Sequence, residues 1–165
     1  MVQHYFGIFI ELLAAPFHFP DLIWGIVPLY FGWLINELTS DRASYKTAIQ
    51  TGFGFLWAGA HWIYQMNRQA ANGRLHLGGA SILQIFVTLA VLAVGTLALV
   101  SGLRRKFPKR CSFLGHSRFS NYFMIAIFPM QSNCLPWSLD RLLAMIFFAA
   151  PCWLLLHLGL RPFRN

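Results

Sequence analysis

Residues 80–103 read ASILQIFVTLAVLAVGTLALVSGL and run straight into RRKFPKR at 104–110. No Asp, Glu, Lys or Arg lies between Arg74 and Arg104. At about 1.5 Å of rise per residue, a helix of this length covers a hydrocarbon core of roughly 30 Å, so the stretch predicts a transmembrane helix. The basic cluster behind it marks the side that stays in the cytoplasm.

The same spacing recurs on both sides of this segment. Lys46 to Arg68, Arg118 to Asp140 and Arg141 to Arg161 each bracket about twenty uncharged residues, the interval a bilayer demands. The predicted spans are 22–38, 47–67, 80–103, 119–139 and 142–160. The expected fold is all-α: a polytopic integral membrane protein, one membrane domain over residues 1–165 with four to five transmembrane helices. The fourth span carries Ser120, Asn121, Pro129, Gln131, Ser132 and Asn133. It is the one segment whose composition also fits a broken or re-entrant helix.

Ahead of the first span, His4, Gly7 and Glu11 share one face of a helix over residues 4–15, and apolar residues cover the rest. It is too short to cross and predicts an interfacial or re-entrant helix that, interrupted by Pro16 and Pro20, turns over Pro16 to Asp21 into the first span. The stretch before Glu11 lacks the basic region of a secretory signal, so a cleaved leader is not expected.

Basic residues fix the orientation. Ten of the 13 Lys and Arg fall in 39–46, 104–118 and 161–165, and three fall in 68–79 and at Arg141. The bias places the 104–118 loop and the C-terminus in the cytoplasm, beneath an inner or plasma membrane.

Composition narrows the function. With 57% hydrophobic and 11% charged residues, against about a quarter charged in soluble domains, the chain cannot cover itself with a water-facing surface. The net charge of +8 is lodged in loops beside apolar segments, which fits anionic lipid headgroups and not nucleic acid. Cys111, Cys134 and Cys152 form no CxxC pair and are expected as free thiols, with no disulfide framework or zinc site.

Association inside a bilayer depends on close packing, because lipid competes equally for apolar side chains. Ala48, Gly52 and Gly59 form a small-residue stripe on the second span. Gly95, Ala98 and Gly102 continue one that begins at Ser81, Gln84 and Thr88 on the third, and these stripes are the expected contact. Gly54 and Ala58 make a further small pair. Aromatic residues, 16% of the chain, supply more bulky surface than a five-helix bundle needs for its own core.

The candidate chemistry is sparse. Glu11 is the carboxylate set inside an apolar run and is the candidate ion or proton site. Asp140, beside Ser138, reads as part of a helix cap, and Glu37 as a partner for Arg42 or Lys46. His18 and His61 fall toward the same side and are candidate ligands of a haem or chlorin. His4, Glu11 and His18 are seven residues apart, or about 10 Å of helix, and cannot share one metal. Arg104, Arg105, Lys106, Lys109, Arg110 and Arg118 are the expected contacts to anionic lipid or to a partner subunit. No GxSxG, HExxH, P-loop or paired acidic motif occurs, so no catalytic residues and no enzyme activity are expected.

The sequence therefore points to a non-catalytic accessory subunit of a larger membrane complex, with membrane lipids and other integral membrane subunits as partners and no resident cofactor. A small-solute or ion transporter or channel using Glu11, and a haem- or pigment-binding subunit using His18 or His61, are the rival classes.

Overall fold

The computed structural model describes residues 2–39, 45–73, 79–105 and 118–160, and all regular structure among them is helical. The helices are α1 (Val2–His18), α2 (Ile23–Thr39), α3 (Tyr45–Ala71), α4 (Gly79–Arg104), α5 (Arg118–Gln131) and α6 (Leu139–Gly159), with a 3₁₀ turn, Pro20–Leu22, between α1 and α2.

Two of them, over Ser81–Arg104 and Leu139–Gly159, are long and apolar enough to cross a membrane. Four to five spans were expected, and the length and apolarity to cross are met by these two helices among the described residues. The 17 residues of α2 give about 25 Å and fall short alone, but α1 and α2 together form a candidate third span bent by 87°. The 27 residues of α3 are long enough, yet Gln50, His61, Gln65 and Asn67 dilute its apolar character. α5, which covers the predicted 119–139 span only as far as Gln131, has 14 residues, about 21 Å.

The first turn falls inside the expected interval, Pro16 to Asp21, although Pro16 itself stays helical. α1 continues through Pro16 to His18, and the break comes at Phe19, where φ is −124° and ψ is 87°. Pro28, Pro129 and Pro151 likewise lie inside helices. Each removes one backbone donor, a loss that packing against neighbouring helices offsets.

Side-chain contacts place the helix ends at two levels. At one level the Tyr45 hydroxyl donates to the Arg105 carbonyl over 3.1 Å, and His157 Nδ1 lies 3.1 Å from Glu37. At the other, Arg68 meets Asp21 at 3.3 Å, Arg141 meets Glu11 at 3.3 Å, and Asn133 meets Gln69. Helices α2 to α6 thus run alternately between a Tyr45/Arg105 end and an Arg68/Arg141 end. α1 packs along the first half of α6, with Glu11 level with Arg141 and Tyr5 against Phe147 at 6.2 Å between ring centroids.

The short helix α5 is the centre of the assembly. Tyr122 and all of Met124 to Ser132 are buried, enclosed by α1, α2, α3 and α6. Phe128 is clasped by His61 and Trp62, at ring centroid distances of 5.4 and 5.5 Å. A helix enclosed by protein need not be apolar throughout, which is why the predicted fourth span reads as polar.

Its end is built by Asn133. With φ at 58°, Asn133 takes the left-handed conformation that closes a helix, its amide donating to the Met130 carbonyl at 3.1 Å and the Cys134 amide to that of Pro129 at 3.0 Å. Gly73, at φ +65°, closes α3 in the same way. The start of α6 is capped by the Ser138 hydroxyl, which accepts from the Arg141 amide at 3.2 Å, while Asp140 occupies the first turn.

Small residues set the α3–α4 pair. Ala48 and Ala98 are fully buried, and a Cβ on Gly52 would lie 2.6 Å from the Leu99 nitrogen. Gly95 faces the backbone around Gly52, Gly102 sits against Tyr45 and Ile49, and Gly59 admits the Leu92 side chain. The contact stripe is narrower than the sequence suggested, because Gln84 and Thr88 turn from α3 toward the end of α5.

Candidate functional site

Two buried polar clusters stand out against this apolar background. The first ties three helices together where α5 ends. Gln131 Nε2 donates to the Gln84 carbonyl at 2.6 Å and to Thr88 Oγ1 at 2.7 Å, and Thr88 Oγ1 donates onward to the same carbonyl at 2.8 Å. Gln84 Nε2 returns a bond to the Met130 carbonyl at 3.3 Å and another to Asn133 Oδ1, and Asn133 Nδ2 reaches Gln69 Oε1 on α3. Gln84, Thr88 and Gln131 are at most 2% exposed, so the bonds among these three form out of reach of water, while Asn133 and Gln69 lie toward the surface.

The node acts as a latch. The carbonyls of Phe128, Pro129 and Met130, which a helix end leaves free, are already taken by the amides of Ser132 to Leu135. Polar bonds of this kind add about 0.6 kcal/mol each inside a bilayer. Replacing Gln131 by Leu removes two of them, and a loss of about 1 kcal/mol is expected, read as a lower unfolding midpoint in mild detergent. A variant unchanged in midpoint would show that the latch carries no stability.

The second cluster lies at the opposite end. Glu37, near the end of α2, is fully buried and meets His157 Nδ1 near the end of α6, while His157 stacks on the Trp153 ring at 5.3 Å. A buried carboxylate is stable only when it is paired or hydrogen-bonded, and an imidazole can donate a proton or carry positive charge toward it. Trp33, one turn before Glu37, rests edge-on against Tyr122 at 6.3 Å, and Cys152 lies beside Tyr122. Sequence reasoning placed Glu37 at a membrane surface beside Arg42 or Lys46 and so missed this pair. Arg42 lies outside the described residues. No local signal joins residues 120 positions apart.

The sequence-predicted candidates fall elsewhere. Glu11 is no lone buried acid: its side chain is 46% exposed and it is bonded to Arg141, which also donates to the Pro136 carbonyl at 2.9 Å. His18 is exposed at the end of α1. His61 packs its ring over Gly25, where a Cβ would come within 2.6 Å of it, and contacts Gln65 at 3.5 Å. No group of three or more potential metal ligands occurs among the described residues.

Arg104 and Arg105 end α4 in exposed positions, with the Arg105 guanidinium 6.0 Å from the Tyr45 ring centre. Lys106, Lys109, Arg110 and Cys111 lie outside the described residues, and Arg118 opens α5.

No known protein family, curated protein or solved structure matches the chain.

Proposed function

We propose that the chain is a multi-pass integral membrane subunit, non-catalytic, that assembles with other integral membrane subunits through the apolar faces of α4 and α6. In this reading α2 to α6 each cross the bilayer, the buried α5 crossing together with the extended residues that follow it. The Tyr45/Arg105 end faces the cytoplasm and α1 dips into the opposite leaflet.

The supporting observation is the exposure of the two most apolar helices. Only 22% of the α4 span and 17% of the α6 span are buried within the chain. Phe86, Leu89 and Leu97 on α4, and Ile146, Phe147 and Leu155 on α6, each stand more than half exposed. Lipid covers such faces by default, and a partner helix gains by replacing it where shapes fit.

A second reading, a small-solute or ion transporter, draws on the break between α1 and α2 and on the short central helix with its polar end, features that line substrate sites in transporters. Against it stand the engaged carbonyls of the node and the Glu11–Arg141 pair, which leave little to receive a solute.

Extraction in mild detergent followed by mass analysis tests the first reading: stable co-purifying membrane subunits are expected, and a chain that purifies alone and carries solute flux in vesicles would overturn it. Orientation is tested with the native cysteines replaced. Asn72→Cys is expected to react with an impermeant maleimide on intact cells, and Arg105→Cys only after permeabilisation.

A further inference from the structure

Where α1 meets α6 the surface opens into a cavity of about 300 Å³ lined by Val2, Tyr5, Phe147 and Phe148. Its position along α6 identifies what fills it. Phe147 and Phe148 stand at the middle of a 21-residue helix, about 13 Å from its start at Leu139. In a bilayer whose hydrocarbon core is roughly 30 Å thick, that depth is the midplane, beyond the reach of water or headgroups.

The walls agree with that depth. The lining is apolar, and Glu11 and Arg141, farther along the two helices, are 3.3 Å apart and neutralise each other. An occupant therefore meets apolar walls and is itself apolar where it touches them. The aromatic seam of Phe6 and Phe9 against Phe148, at 5.5 and 5.9 Å, makes a firm floor instead of a loose fold of flexible side chains. Edge and face of such rings suit methylene groups, which bring no polar atoms to satisfy.

We propose that this cavity is a seat for the terminal part of one phospholipid acyl chain, held between the oblique α1 and the midpoint of α6. The proposal rests on the reading of α6 as a membrane span. A chain lodged there completes the α1–α6 contact and exchanges more slowly than the lipid around the exposed faces of α4 and α6.

The test uses the full chain in phosphatidylcholine vesicles containing a phosphatidylcholine with a photoreactive diazirine near the end of one acyl chain. After irradiation, adducts are mapped by mass spectrometry. At least threefold more label is expected on Tyr5 and Phe148 than on Ile146 and Leu155, although the latter pair is the more exposed. The Val2→Trp variant changes an exposed position at the rim and fills the seat, so the Tyr5 and Phe148 adducts are expected to fall at least threefold while those on Ile146 and Leu155 persist. Labelling that follows exposure alone, unchanged by V2W, would overturn the seat and leave the membrane reading intact. A chain carrying no adducts anywhere on α6 would overturn both.

Discussion

Replacing Gly52 by alanine is expected to destabilise the protein by about 2 kcal/mol, although alanine is the better helix former by roughly 1 kcal/mol. The reason is the neighbour a new Cβ would meet. It would lie 2.6 Å from the Leu99 nitrogen and 2.8 Å from the Gly95 carbonyl, both backbone atoms that cannot rotate aside. Helices α3 and α4 must therefore separate along the seam, and the buried contacts of Ala48 and Ala98 loosen with them. Gly54 provides the contrast on the same helix, since its Cβ would find only Leu29 of α2 at an ordinary 3.4 Å. Gly54→Ala and Gly32→Ala, the latter opening onto empty space, are expected to be neutral or slightly stabilising. Thermal unfolding in mild detergent, followed by circular dichroism, reads the difference. Equal midpoints for G52A and G54A would show that the α3–α4 seam does not depend on backbone approach at Gly52.

That seam was legible in the sequence because its information is local. Spacings of four and seven place Ala48, Gly52 and Gly59 on one face, and small residues are informative where apolar burial cannot drive association. The all-helical class and the α4 and α6 spans were legible for the same reason: each is a single uninterrupted run. The course of α5 was not. Its polar end, Gln131 to Asn133, fitted a broken or re-entrant helix, but a sequence does not say which helix its neighbours enclose. Once α1, α2, α3 and α6 surround it, those residues face partners and not hydrocarbon. The prolines misled in a related way. The turn was expected over Pro16 to Asp21 and falls there, at Phe19, but the helix carries Pro16 instead of ending before it, and no local rule separates a proline a helix carries from one that ends it. The acids show the limit most plainly. Glu11 looked isolated and lies at an exposed ion pair, while Glu37 looked superficial and is the fully buried carboxylate, paired with a residue 120 positions away.

The Glu37–His157 pair carries the second large expected effect. Removing one member of a buried ion pair leaves the other without compensation, typically at a cost of 3–5 kcal/mol, whereas replacing both by apolar residues of similar size is often close to neutral. Glu37 is fully buried and His157 only partly so, with 26% of its side chain exposed. The two single substitutions should therefore differ. His157→Leu takes one partner from the fully buried carboxylate, which keeps a further contact, and is expected to cost about 2 kcal/mol, below that range. Glu37→Leu leaves a partly exposed imidazole that still packs on Trp153, and is expected to cost about half as much. The double variant is expected to recover much of the larger loss, giving a coupling energy of at least about 1 kcal/mol in a double-mutant cycle. Glu37→Gln keeps the shape and hydrogen-bonding capacity of the side chain without its charge, and its midpoint should fall between wild type and Glu37→Leu. Additive losses in the cycle would mean that the two side chains contribute independently, and Glu37 would then owe its tolerance of burial to other neighbours. A positive coupling makes this pair the fastening between the ends of α2 and α6, as the amide latch fastens α4 to α5 at the other end of the bundle. With a polar clasp at each level and apolar faces left outside, the helices hold their own register before any partner or lipid is added.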